Sequence, residues 1–235
     1  MRNSLPQERS RGPLVVLIPA LNEASTIGRV VGEVKAELDC EVVVIDDAST
    51  DRTAEEARIA GATVLPLRLP LGAWGAIRTG MCYAFKHGYH VAVTMDGDGQ
   101  HLASSIQSVI KPIESEHADV VIGACVERGN LARRVAWAVL RKLTSLRVED
   151  LTSGLRAYNR AAISELTSSD TTLFDYQDIV VLVYLQKGGL KIAETPVEMC
   201  SRISGHSRIF HSWVAVLRYL LVTSVLCLSR PKFMP

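Results

Sequence analysis

No Cys-x-x-Cys pair occurs in this chain, and its five cysteines (Cys40, Cys82, Cys125, Cys200, Cys227) are scattered. The odd number and wide spacing speak against a disulfide framework and against a zinc site, and suit a reducing cytosol. No Gly-x-Gly-x-x-Gly follows the first apolar run, which excludes a nicotinamide-dependent dehydrogenase of the dinucleotide-binding kind. The formal net charge is only +1, so no overall field draws the protein to nucleic acid, and any anionic partner must be met by local patches. Uninterrupted apolar runs of about 20 residues are missing too. The strongest candidate, residues 211–229, carries Arg218 in its middle, where a charge costs about 2.5–3.5 kcal/mol on insertion scales. A membrane span is therefore not expected. Internal repeats and low-complexity segments are absent. Residues 1–12 are polar and charged and read as a disordered lead-in without a secretory signal.

What the chain does have is core material: 235 residues, 48% apolar and 22% charged, enough for one large globular domain with or without an appendage. Leu14, Val15, Val16, Leu17 and Ile18 form a continuous apolar run that Pro19 ends, the pattern of a strand buried on both faces. Ile27, Val30, Val31, Val34 and Leu38 then recur at helical spacing, with Ser25 or Thr26 as the cap. Residues 41–45 predict a second strand, followed by Ser49, Thr50 and Asp51 as caps for a helix to about Ala60. Residues 63–65 predict a third strand, 75–86 a helix, 91–95 a fourth strand, 106–113 a helix and 119–123 a fifth strand. Later segments predict helices over 131–147 and 179–186, a strand over 190–193, a turn-rich stretch over 150–156 and a polar loop over 198–210. Short apolar strands alternating with helices imply an α/β fold with a mostly parallel central sheet covered on both faces.

Three of these strands run into polar clusters: Pro19-Ala20-Leu21-Asn22-Glu23, Asp46-Asp47-Ala48-Ser49, and Asp96-Gly97-Asp98. In a parallel sheet, ligands bind beyond the strand C-termini where strand order reverses, so acidic groups at these ends define a site. Asp96 and Asp98 form a compact pair of hard oxygen ligands, and two like charges that close need a cation such as Mg²⁺ or Mn²⁺ shared with phosphate oxygens. An Asp-Gly-Asp by itself also suits a solvated turn. The run Asp47 to Asp51 likewise suits a helix N-cap cluster.

The ordered set Ile18-Pro19-Ala20-Leu21-Asn22-Glu23, Ile45-Asp46-Asp47-Ala48-Ser49-Thr50-Asp51 and Asp96-Gly97-Asp98-Gly99-Gln100-His101 resembles family 2 glycosyltransferases of the GT-A fold. The likeness is closest to the branch that transfers mannose or glucose to dolichyl or polyprenyl phosphate, and it covers residues 14 to about 209. By that resemblance Pro19, Asn22 and Glu23 line the nucleotide base and ribose, and Asp46 or Asp47 accepts from a base N–H. Asp96 and Asp98 hold Mg²⁺ or Mn²⁺ against the sugar diphosphate, with Gln100 as a further oxygen ligand. His101 is expected to pack or cap rather than ligate. Asp178 aligns with the general base of inverting relatives; it reads equally as a helix N-terminal cap, and Asp175 is a weaker candidate for either role. Arg202 and Arg208, flanking Gly205, resemble the mobile loop that closes over the donor and grips its diphosphate. Two departures stand out: no lysine occurs within residues 71–76, and Gly123-Ala124-Cys125 stands where relatives carry an arginine. Arg78 and Arg128 are the candidates to substitute.

The resulting expectation has three segments: a lead-in over 1–12, a GT-A catalytic domain over 13–210, and an apolar helix over 211–235. On that helix His211, Arg218 and Ser229 share a narrow stripe, so it packs on protein or lies in a lipid interface, with Arg230 and Lys232 near headgroups. Arg134, Arg141 and Trp137 extend the same surface. The implied activity is metal-dependent inverting transfer from a nucleotide-diphosphate sugar to a membrane polyprenyl phosphate at the cytoplasmic face. Two alternatives remain at this point: transfer to a glycan or glycolipid hydroxyl with Asp178 as base, and a catalytically silent subunit that keeps the fold. Nucleic acid is not an expected partner, and a homo-oligomer is left open.

Overall fold

The computed structural model describes residues 13–125, 146, 148–150, 153–168 and 179–200. Among these residues one sheet of seven strands runs through the molecule. They are β1 (Leu14–Ala20), β2 (Glu41–Asp46), β3 (Thr63–Pro66), β4 (Val91–Thr94), β5 (Val120–Ala124), β6 (Arg156–Asn159) and β7 (Ile192–Pro196), in the order β3-β2-β1-β4-β6-β5-β7. All pairings are parallel except those of β6, which lies antiparallel to both β4 and β5. The helices are α1 (Ile27–Glu37), α2 (Thr53–Ile59), α3 (Gly72–Lys86), α4 (Ile106–Glu114, entered through a 3₁₀ turn), α5 (Arg160–Leu166) and α6 (Ile179–Lys187).

Successive apolar residues on the central strands bury both faces of the sheet. Val15, Leu17, Val43 and Ile45 pack with Trp74, Ile77 and Met81 of α3, Ile163 of α5 and Leu182 of α6. Val16, Ile18, Val42 and Val44 face the other way, against Ile27, Val30, Val31 and Val34 of α1 and Ile106 and Val109 of α4. Each fully enclosed Leu, Ile or Val contributes about 1.5–3 kcal/mol relative to exposure. Residues 179–185 of α6 are buried all round, which matches their apolar composition and marks α6 as an interior helix.

The structure departs from the sequence expectation at four places. The antiparallel strand β6 and helix α5 occupy residues 156–166, to which the apolar pattern assigns nothing. β6 is four residues long and opens on a buried arginine, so no apolar run announces it. Helix α3 begins at Gly72 rather than Gly75, because its first amides are met from afar: Asp47 accepts from Leu71 N–H at 2.6 Å and from Gly72 N–H at 2.9 Å. Thr26 stands at the N-cap of α1, but its hydroxyl makes no capping bond and instead donates to the Gly97 carbonyl at 2.8 Å. The last strand is shifted to 192–196.

The opposite end of the sheet is pinned by Glu41, whose carboxylate accepts from the hydroxyls of Thr63, Tyr83 and Tyr89. Burial alone would raise this carboxyl; the donated bonds from Tyr89, Thr63 and Tyr83 outweigh it and hold the group below the usual carboxylate range.

Candidate active site

Strand order reverses between β1 and β4: β2 and β3 lie to one side, and β6, β5 and β7 to the other. The C-terminal ends of β1, β2 and β4 open onto that reversal, the position where α/β sheets bind ligands. Ala20 is opposite Asp46 across the β1–β2 pair, and Met95 N–H continues the β1–β4 ladder onto Leu17 carbonyl at 3.1 Å. With strands spaced about 4.8 Å, Asp46 and the β4 end stand two strands, about 10 Å, apart on one edge.

The three strand-end loops are sewn together by side chains. Asn22 sits in the left-handed region at φ 56°, a conformation asparagine tolerates. Its amide N–H donates to Ser49 Oγ at 2.9 Å, and its side-chain Oδ1 accepts from Thr50 N–H at 2.9 Å. Glu23 N–H donates to Thr53 Oγ1 at 2.8 Å, and Ala24 N–H to Asp51 Oδ2 at 3.2 Å. Asp51 also accepts from Thr53 N–H, the first amide of α2, at 3.0 Å, from one residue before the N-cap Arg52. Burial would push the Asp51 carboxyl up; its bonds from the Thr53 hydroxyl and from the Thr53 and Ala24 amides hold it low. The Thr26–Gly97 bond joins the first loop to the third. Pro19, the residue expected to border the base, lies within this same edge, its carbonyl close against Gly97.

The two neighbouring carboxylates of β2 have different work. Asp47 spends one oxygen on each of two amides at the start of α3, and is a capping group reaching across from another loop. Asp46 accepts Ser49 N–H at 3.1 Å on Oδ1. Both are nearly enclosed. Of the pair, Asp46 is the one whose carboxylate is not committed to a helix terminus.

Asp96 is held from two directions. Its carboxylate lies directly against the Cα of Gly154, so close that a Cβ there would overlap it. The shelf is rigid: Thr94 Oγ1 donates to Gly154 carbonyl at 2.9 Å, Arg156 Nε to Ser153 carbonyl at 2.9 Å, and Gly123 N–H to Leu155 carbonyl at 2.9 Å. On another side His101 Nε2 approaches Asp96 Oδ2 at 3.5 Å. Asp98 accepts Gln100 N–H at 3.1 Å on Oδ1, an Asx turn that fixes the loop between them. Asp96, Asp98 and Gln100 are all only half-buried and so remain open to a ligand.

Among the described residues no three His, Cys, Asp or Glu side chains gather into a cluster of metal-ligand type. The chain thus offers two carboxylates and an amide on one short loop. That donor set fits Mg²⁺ or Mn²⁺ bound through one or two carboxylates with the remaining positions filled by phosphate oxygens and water, and does not fit a dedicated protein cage. The glycine shelf that leaves Asp96 its room is a second structural feature of the same fit.

Sequence reasoning missed Gly154, which lies in the turn-rich stretch already singled out but far along the chain from Asp96, and it gave His101 no chemical role. Arg78, a candidate to replace the missing arginine, donates through Nη2 to the Thr167 and Ser168 carbonyls at 3.4 and 3.0 Å, so it clamps the end of α5. Asp175, Asp178, Arg202, Arg208, Arg128, Arg134, Trp137, Arg141 and the whole of 211–235 lie outside the described residues. Cys200 N–H donates to Gln100 carbonyl at 2.8 Å, and His101 bridges Met199.

Residues 15–166 match the Glycosyl transferase family 2 profile. An uncharacterized protein of Methanocaldococcus jannaschii is 31% identical over 208 residues, covering 84% of this chain and 85% of that one. The polyprenol monophosphomannose synthase of Mycolicibacterium smegmatis is 26% identical over 236 residues, covering 88% and 89%. Among solved structures, glucosyl-3-phosphoglycerate synthase from Mycobacterium tuberculosis, in complex with Mn²⁺, uridine diphosphate and phosphoglyceric acid, superposes with a TM-score of 0.73. That match has 20% identity and covers 94% of this chain and 80% of that one. The sheet and its helices have the GT-A-like α/β fold. The chain belongs to glycosyl transferase family 2.

Proposed function

We propose that this enzyme transfers a sugar from a nucleotide-diphosphate donor to a membrane polyprenyl phosphate, with inversion and with Mg²⁺ or Mn²⁺. The observation that carries the proposal is the placement of Asp96, on its glycine shelf and beside Asp98, at the strand-order reversal, two strands from Asp46. Asp46 reads a base N–H, with Pro19, Asn22 and Glu23 bordering base and ribose. Asp96, Asp98 and Gln100 hold the cation. A divalent ion bound there neutralises charge that builds on the departing nucleoside diphosphate. Arg202 and Arg208 grip the same diphosphate.

The acceptor oxygen forms its bond to the anomeric carbon as the bond to the diphosphate oxygen breaks. A phosphate nucleophile is already anionic, so no proton has to be removed and no general base, Asp178 included, is required. The lipid-phosphate acceptor is favoured over a hydroxyl by the similarity to a polyprenol monophosphomannose synthase along nearly the full length of both chains. No described helix is long and apolar enough to cross a membrane. Peripheral contact of residues 211–235 with the cytoplasmic leaflet brings the site to its acceptor, and co-sedimentation of the full chain with anionic vesicles checks that contact.

The donor half is tested by thermal shift with UDP-, GDP- and dTDP-sugars, each with and without Mn²⁺. One nucleotide should raise the midpoint by about 5–10 °C at a hundredfold excess over its Kd, and only with Mn²⁺ present. Equal shifts without metal, or no shift with any donor, would contradict the proposal.

A further inference from the structure

His101 is enclosed to 1% exposure, yet neither ring nitrogen has a hydrogen-bond partner among the described residues. Buried imidazoles satisfy both nitrogens as a rule, so an orphan in a binding loop points to a contact that tightens when the site is in use. The polar group nearest along its axis is the Asp96 carboxylate, with Nε2 at 3.5 Å from Oδ2, about half an ångström beyond a good hydrogen bond. Asp96 has Gly154 on another side and cannot retreat there. His101 itself is fixed at the backbone, bridged to Met199 beside the Gln100–Cys200 bond.

We infer that His101 is a positioning residue for Asp96: the tautomer carrying its proton on Nε2 donates to Oδ2 and turns Oδ1 toward the cation. The inference rests on the reading that Asp96 and Asp98 hold a divalent ion. An enclosed ring at van der Waals distance behind the carboxylate is placed to orient a ligand, not to be one. Carboxylates that bind metals are generally held in this way by a donor standing behind them, and loss of that donor weakens metal binding about 10–100-fold.

The test is Mn²⁺ binding by the full-length protein, followed by the electron paramagnetic resonance of free Mn²⁺ in the presence of UDP, GDP or dTDP, whichever stabilises it. His101→Leu is expected to raise the Kd for Mn²⁺ about 10–100-fold without lowering the thermal midpoint of the metal-free protein. His101→Gln, whose amide N–H reaches the Nε2 position, is expected to restore most of that affinity. Parental Mn²⁺ affinity in the leucine variant overturns the inference, because a side chain that only fills space is replaced well by leucine. Glutamine no better than leucine overturns it as well. If the parent takes up no Mn²⁺ with any nucleotide, the cation reading falls first and this inference with it. Should the leucine variant fail to fold, ¹⁵N spectra of the histidine-labelled parent decide the matter. His101 should show the Nε2–H tautomer with a signal that moves on adding Mg²⁺ and nucleotide, and a signal indifferent to both overturns the assignment.

Discussion

Replacing Asp98 by alanine is expected to lower metal-dependent sugar transfer by at least about 100–1,000-fold while leaving the protein folded. Removing a single group that stabilises charge on a leaving group costs on that scale, and in the proposed function this group also holds the ion that does so. The fold should survive because Asp98 is half-buried on a loop, outside the strands and helices, where its carboxylate accepts the short turn bond from Gln100 N–H. Asp98→Asn separates the two roles. Asparagine keeps an oxygen for the Gln100 turn but loses the charge, so it should fold like the parent and turn over like the alanine variant. Steady-state rates against Mn²⁺ concentration, with the thermal midpoint measured beside them, check both. Near-parental turnover in either variant would favour a catalytically silent subunit or a site elsewhere.

Gly154→Ala should be almost as damaging, although Gly154 has no side chain of its own to offer the site. Its φ is not positive, so alanine meets no backbone strain at this position. The added methyl instead lands on the Asp96 carboxylate. The Thr94 bond to the Gly154 carbonyl keeps the shelf from moving back, whereas Asp96 is 38% exposed and can swing toward solvent. The side chain gives way, and the ligand leaves its position. A displacement of about 1 Å at a catalytic group costs on the order of 100-fold in rate, and a similar loss of kcat/KM is expected here. Stability should change little, since the clash is relieved outward. The discriminating readout is the Mn²⁺ dependence: the concentration for half-maximal rate should rise in Gly154→Ala. A variant that loses stability but keeps its Mn²⁺ dependence would show that Gly154 serves packing alone.

Much of the sheet edge that carries the candidate site was legible in the sequence, and the reasons are specific. Strands β1 and β2 are continuous apolar runs ending in polar clusters, so both their burial and the exit of Asp46 at the sheet edge follow from composition. Helix α1 shows its face through Ile27, Val30, Val31 and Val34, all of them buried. What stayed hidden is non-local. The N-terminus of α3 is capped by Asp47 from a different loop, so no local cap announces where the helix starts. β6 is short and begins with Arg156, whose burial depends on Ser153 and its turn rather than on hydrophobicity. Gly154 matters because of what occupies the space where its side chain would be, a contact that spacing along the chain cannot reveal. A lone histidine after Gln100 reads as packing, and only its enclosure without partners, against Asp96, sets it apart.

The central claim is that acidic side chains on separate strand ends of one sheet edge serve a single nucleotide-diphosphate site, with the β4 pair on the cation. Anomalous diffraction at the manganese edge, from crystals grown with Mn²⁺ and the stabilising nucleoside diphosphate, tests it most directly. One peak is expected within coordination distance, about 2.0–2.6 Å, of carboxylate oxygens of Asp96 or Asp98, with the nucleotide base reaching Asp46. A manganese peak bound elsewhere, or a nucleotide seated away from the β1–β4 reversal, would contradict the account.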